Sequence, residues 1–251
     1  MSAPFDLTGR TAVVTGGGRG LGLGISRALL AAGADVVVLQ RTALPAGLLE
    51  LAASLGRAVH LYPVDLADRE AIAATARQVL AEHQVDVLVN NAGTQDRYPA
   101  ADFPLEAWDR VIDVNLHAVF QLCQLFGRPM LERRDGKIIN LASLLSFQGG
   151  LTVPAYAASK GAVAQLTKSL CNEWSSQGVN VNAVAPGYMA TDMNAALLAD
   201  PARLDQLSAR IPAGRWGEPE DIGDVVVFLA SRASAYVHGQ VLAVDGGWMA
   251  R

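Results

Sequence analysis

Thr11-Ala-Val-Val-Thr15-Gly16-Gly17-Gly18-Arg19-Gly20-Leu21-Gly22 is the stretch that decides the fold. Its β-branched opening predicts a short strand and its glycines a turn. Beyond them Ile25, Ala28, Leu29 and Ala32 recur at helical spacing as far as Gly33. Strand, glycine loop and helix in that order form a phosphate cradle. Glycine lets the backbone turn sharply and approach a pyrophosphate, whose charge then lies at the positive end of the helix. The spacing departs from the common G-x-G-x-x-G fingerprint, and the glycines that matter here are Gly16, Gly20 and Gly22. A glycine-rich turn can also simply join a strand to a helix, so the rest of the chain has to supply the partners.

Moving outward, Asp35 to Leu39 predicts a second buried strand ending at Gln40-Arg41, followed by a helix through Leu48 and Leu51 to Gly56. Dinucleotide folds place an acid there for the ribose of NAD, or an arginine for the extra phosphate of NADP. Arg41 tilts the choice to NADP, although Gln40 can bond a ribose and Arg41 can instead stack on adenine or face solvent. A third strand, Ala58 to Tyr62, leads to Asp65, which can bond the adenine amine or cap the next helix. The fourth, Asp86 to Val89, meets Asn90-Asn91-Ala92-Gly93. Leu105 to Leu131 reads as one long helix with Asn115 inside its apolar face, as a structural amide or as part of a site. The fifth strand, Lys137 to Leu141, delivers Ser143 and Ser146, either of which can face the following helix.

That helix, Pro154 to Trp174, carries Tyr156 and Lys160 four apart, hence on one face and one turn apart. A phenol beside an ammonium makes a proton donor, since the cation favours the phenolate. A sixth strand, Val179 to Val184, ends at Pro186-Gly187. The segment from Asp192 to Arg215, polar, alanine-rich and interrupted by Pro201 and Pro212, is expected to form a mobile lid within residues 188–216. A helix from Pro219 and a last strand, Val241 to Val244, complete the chain. Alternating strands and helices predict an α/β fold. It is a doubly wound parallel sheet of about seven strands in a single domain spanning residues 1–251.

Composition agrees with this. The 251 residues are 51% hydrophobic and 18% charged, enough for a large core. A net charge of -4 with scattered Lys and Arg offers no footprint for nucleic acid or an acidic membrane, which leaves small molecules as partners. Cys123 and Cys171 fall in helical apolar contexts and read as packed thiols. His60, His83, His117 and His238 lack ligand spacing, so no metal is expected. With no basic-then-apolar leader and no membrane-length run, a cytoplasmic protein is expected.

Together these motifs resemble the short-chain dehydrogenase/reductase family. Thr15-Gly16 to Gly22 is similar to its Thr-Gly-x-x-x-Gly-x-Gly loop, Asn90 to Gly93 to its Asn-Asn-Ala-Gly turn, and Tyr156 with Lys160 to its Tyr-x-x-x-Lys pair. The resemblance runs from Gly9 to Gly247 and implies NAD(P)-dependent interconversion of a secondary alcohol and a ketone, in a homotetramer. It implies Asn115, Ser143, Tyr156 and Lys160 as catalytic residues. The implied cofactor contacts are Gly16, Arg19, Gly20, Leu21 and Gly22; Gln40 and Arg41; Asp65 and Leu66; Asn91, Ala92 and Gly93; Tyr156 and Lys160; and Pro186, Gly187, Met189 and Thr191. The segments after the fifth and sixth strands, Ile211 to Trp216 and the C-terminal Asp245 to Arg251 resemble the branch acting on sugar acids of the gluconate type, and that branch implies NAD where Arg41 points to NADP. A carboxylate substrate wants an arginine fork. Arg97 is the first candidate, with Ser143, Gln148 and Tyr156 beside it and Arg215 and Arg251 as outside alternatives. Two other functions stay open: a 3-oxoacyl carrier protein reductase, and a Rossmann-type regulator that senses nucleotide without turnover.

Overall fold

The computed structural model describes residues 3–191, 194, 197 and 199–251. Seven parallel strands form one sheet: β1 (Thr11–Thr15), β2 (Asp35–Gln40), β3 (Val59–Pro63), β4 (Val87–Asn90), β5 (Gly136–Leu141), β6 (Val179–Pro186) and β7 (Val241–Val244). Their order is β3-β2-β1-β4-β5-β6-β7. Every strand therefore ends on the same edge, and the order reverses between β1 and β4, where such sheets open a crevice for ligands.

Side chains alternate across the sheet. Val13, Val37, Leu39, Leu88 and Ile138 face one side, where they pack with Ile72, Val79, Leu122, Phe126, Val163 and Leu170. These partners lie on α3 (Arg69–Glu82), α5 (Ala118–Arg133) and α6 (Pro154–Trp174). Val14, Val36, Val38, Val87 and Ile139 face the other side, against Ile25, Leu29, Leu48, Ile222 and Val226. Those lie on α1 (Gly20–Ala31), α2 (Ala46–Ser54) and α8 (Pro219–Ala230). A sheet covered on both faces explains why its strands read as continuous apolar runs. Among the described residues the remaining α-helices are α4 (Leu105–Ile112) and α7 (Pro201–Arg210).

Two expectations need correction. The long helix is not one: a π-turn, Asp113–His117, separates α4 from α5. The reason lies in Asn115, whose side chain binds backbone outside the helix and holds an extra residue in the turn. The stretch 188–216 is not wholly polar lid either. Met189, Ile211 and Trp216 are buried, and Tyr188 and Trp216 pack with Leu144 and Trp248. The proposed mobility of Asp192, Met193, Ala195, Ala196 and Leu198 lies outside the described residues.

Candidate functional site

The crevice between β1 and β4 is closed by a polar seam. Thr15 Oγ1 accepts from the backbone N–H of Asn91 and of Ala92, both at 2.9 Å. Asn91 Nδ2 in turn donates to the Thr15 carbonyl at 2.9 Å and to that of Gly16 at 3.3 Å. The Asn91 side-chain nitrogen is thus committed to bracing the loop, and its backbone N–H to Thr15 and Val89. Thr15, which opens the glycine motif but has no role assigned from the sequence, is thus a bracing residue of the site; a hydroxyl ending an apolar strand is its signal.

The glycine loop fits a pyrophosphate. Gly16 has φ +65°, and a Cβ on Gly22 would lie 2.0 Å from the Gly16 carbonyl, so only glycine allows this path. Arg19, the N-cap of α1, makes no side-chain cap, which leaves the first amides of that helix open to an anion. Thr191 reaches across from the far side of the crevice, 3.8 Å from where a Gly20 Cβ would stand. Gln40 turns inward rather than toward a ribose. Its Oε1 accepts from Gly18 N at 2.8 Å, and its Nε2 donates to the carbonyls of Thr42 at 2.8 Å and Ala43 at 3.2 Å. Arg41 stays exposed with Nη1 3.4 Å from Asp65 Oδ2, while Asp65 Oδ1 accepts from Ala67 N at 3.0 Å. Leu66 and Met189 are buried, Gly187 N donates to Val244 O at 2.9 Å, and Leu21, Ala92 and Gly93 line the loop partly exposed.

Past the crevice, β5 hands over to a short 3-10 turn, Leu144–Ser146, which separates the roles of the two serines. Ser143 Oγ accepts from Leu145 N at 3.2 Å, and its hydroxyl lies near enough to the Tyr156 phenol to pull that group's acidity down. Ser146 Oγ donates to the Lys160 carbonyl at 2.7 Å and accepts from Ser143 N at 3.3 Å, fastening α6 to the end of β5. Lys160 is 4% exposed; its Nζ donates to Leu141 O and stands 5.7 Å from the Tyr156 ring centroid. Asn115 spends all of its amide: Oδ1 accepts from Thr94 N at 2.8 Å, and Nδ2 donates to Thr94 O at 2.9 Å and Ser159 Oγ at 3.1 Å.

Burial governs the acidities here. It pushes the Lys160 ammonium down to about 8. It also holds the Tyr156 phenol above its ordinary value, with the Ser143 hydroxyl pulling the other way. The simple expectation that the neighbouring cation lowers the phenol is therefore outweighed by desolvation.

Of the three arginines considered for a carboxylate, two are taken. Arg215 forks onto Asp221 with contacts of 2.7 and 2.8 Å, and Arg251 Nη1 donates to Ala209 O at 3.2 Å. Arg97 is exposed and makes no hydrogen bond, ion pair or ring contact with the described residues; Gln148, also exposed, has a free side chain. Among the described residues no group of His, Cys, Asp or Glu is arranged to hold a metal ion. Neither is any helix long and apolar enough to cross a membrane.

A doubly wound sheet, a glycine cradle and a Ser–Tyr–Lys group at the adjoining strand end define a nucleotide-linked oxidoreductase. The family model described as enoyl-(acyl carrier protein) reductase matches residues 16–249, and the chain belongs to the short-chain dehydrogenase/reductase family. It is 52% identical to the 2-dehydro-3-deoxy-D-gluconate 5-dehydrogenase of Bacillus subtilis, over 98% of this chain and 97% of that one. It is 41% identical to the gluconate 5-dehydrogenase of Gluconobacter oxydans, over 98% of each. The crystal structure of a gluconate 5-dehydrogenase from Burkholderia cenocepacia, in complex with NADP and tartrate, superposes with a TM-score of 0.91 at 41% identity, covering 99% of this chain and 98% of that one.

Proposed function

We propose that the protein is an NADP-linked dehydrogenase that interconverts a secondary hydroxyl and a ketone on a sugar acid of the 2-dehydro-3-deoxy-gluconate or gluconate type. One observation carries the reading: Ser143 and Lys160 both act on Tyr156, while Arg97, four residues beyond the Gly93 that abuts Lys160, has a guanidinium that no described residue occupies. The names of the relatives above support the sugar acid, and tartrate in the neighbour's crystal is itself a hydroxylated carboxylate.

The nicotinamide, when bound, supplies or accepts the hydride. The chain's own residues manage the oxygen. As negative charge grows on the carbonyl oxygen, the Ser143 and Tyr156 hydroxyls donate to it, and the phenol gives up its proton. Lys160, fixed by Leu141 O, keeps a positive charge beside the phenolate so formed. In the reverse direction the phenolate takes the alcohol proton. Asn115 acts on the scaffold, clamping the Thr94 backbone next to Lys160. Gly16, Arg19, Gly20, Leu21 and Gly22 hold the pyrophosphate, and Asp65 and Leu66 flank the adenine. Asn91, Ala92 and Gly93 line the nucleotide's path, and Pro186, Gly187, Met189 and Thr191 hold the nicotinamide amide. Arg41, with no acid at the end of β2, reads the additional phosphate of NADP. Arg97 takes the substrate carboxylate and Gln148 bonds hydroxyls. The assembly is a homotetramer, and the two unpaired thiols, Cys123 and Cys171, fit a cytoplasmic setting.

Initial rates with NADH and NADPH against 5-keto-D-gluconate and acetoacetyl-coenzyme A test the reading. Reduction of the sugar acid is expected, faster with NADPH. Activity on the thioester alone would overturn the substrate, and nucleotide binding with no turnover of any carbonyl would make the protein a sensor.

A further inference from the structure

The chain leaving β4 is tied to the body of the protein at alternate positions. Thr94 exchanges both of its backbone groups with Asn115, and Asp96 accepts from Arg110 Nη2 at 2.7 Å. Tyr98 N donates to Thr152 O at 3.0 Å, and the Tyr98 ring meets Phe103 edge-on at 5.4 Å. Between these ties Gln95 and Arg97 have no hydrogen bond, ion pair or ring contact with any described residue. The ties at 94 and 98 hold the backbone and that at 96 holds a side chain, so the segment is fixed while the side chains at 95 and 97 stay unengaged by any described residue.

The segment that carries Gln95 and Arg97 forms an edge that begins at the reacting centre. A Cβ on Gly93 would lie 3.8 Å from Lys160 Nζ and 3.4 Å from Asn115 Oδ1. At ~3.3–3.6 Å per residue, Gln95 is within about 7 Å of Gly93 and Arg97 within about 14 Å. The far tie is held by an unusual residue: Thr152, β-branched, sits at φ +64°. Such strain persists where the surroundings over-determine it, here at the lip facing the loop.

We propose that Gln95 is a further specificity-determining residue, whose carboxamide reads hydroxyls in the middle of a polyhydroxy acid. The reacting carbonyl of that acid lies at Ser143 and Tyr156 and its carboxylate at Arg97. This rests on the sugar-acid reading above. The chemistry matches in kind and in order. A hydroxyl both donates and accepts, and a primary amide offers two donors and an acceptor. The nearer side chain on the edge takes the middle of the substrate, and the farther, cationic one takes its charged end.

Steady-state kinetics of the full-length protein with NADPH and 5-keto-D-gluconate test it. Gln95→Ala is expected to raise KM about tenfold, the loss of one or two hydrogen bonds, with NADPH affinity unchanged in a fluorescence titration. Gln95→Glu has nearly the same shape, yet it cannot donate and it repels a carboxylate, so its KM is expected to rise further than that of Gln95→Ala. A side chain that merely sits at the surface would tolerate Glu as well as Gln. Wild-type KM in both variants, with the wild type active, overturns the Gln95 assignment alone. No turnover of the sugar acid by the wild type overturns it together with the reading on which it rests.

Discussion

Tyr156 shows how much one side chain depends on its neighbours. Its phenol is pushed up by burial, so a proton leaves it only with help from the Ser143 hydroxyl and the Lys160 charge. Tyr156→Phe removes that proton while keeping the ring, and turnover should fall by about 10²–10⁴-fold with NADPH binding intact. Near-normal rates would remove Tyr156 from the chemistry. Lys160 carries a stability signature of its own. Its folded value of about 8 lies below the ordinary 10.5, so between those pH values the unfolded chain holds a proton that the folded one lacks. Folding then grows more favourable as pH rises. Without nucleotide, Lys160→Met should be the more stable protein at pH 7, and its lead should shrink by roughly 2–3 kcal/mol by pH 10. Denaturant melts at several pH values measure this, and a constant lead would contradict it. At this scale the sequence shows residue types at their spacing but not their commitments. Tyr156 and Lys160 are legible because one helical turn relates them. Arg215 and Arg251 are indistinguishable from Arg97 until the backbone brings Asp221 and Ala209 to the first two.

Among the elements, strands and helices are where the apolar periodicity puts them, and the boundaries move by one or two residues: β2 runs through Gln40, β4 through Asn90 and β6 through Pro186. The break in the long helix is invisible to periodicity, because Asn115 is answered by Thr94 backbone, which no spacing rule relates to it. The β1–β4 seam is hidden for the same reason. Thr15 has the look of one more β-branched strand residue, yet its hydroxyl satisfies two amides of the next crossover. Thr15→Val keeps the shape, orphans the Ala92 amide and leaves the Asn91 amide only Val89 O at 3.1 Å, so chemical denaturation should show a loss of about 1–2 kcal/mol. An unchanged midpoint would mean that the two amides find other acceptors.

Across the whole molecule, the sheet gathers every strand end on one edge, and from the alternation of strand and helix that much is foreseeable. What a single chain does not display is its assembly. Phe120 on α5 is 47% exposed and Leu105 on α4 is 74% exposed, whereas α6 presents no large exposed apolar side chain. If the proposed tetramer associates through the α4–α5 side, Phe120→Glu should shift the species seen by light scattering toward fewer copies. A tetramer that survives this change would need another contact. A different consequence follows from the loop after β4, anchored at Thr94, Asp96 and Tyr98 and free at Gln95 and Arg97. For directed evolution the free pair is a ready two-position library. Its members should melt alike while differing in the acids they accept, so substrate range could be explored there without first banking extra thermal stability.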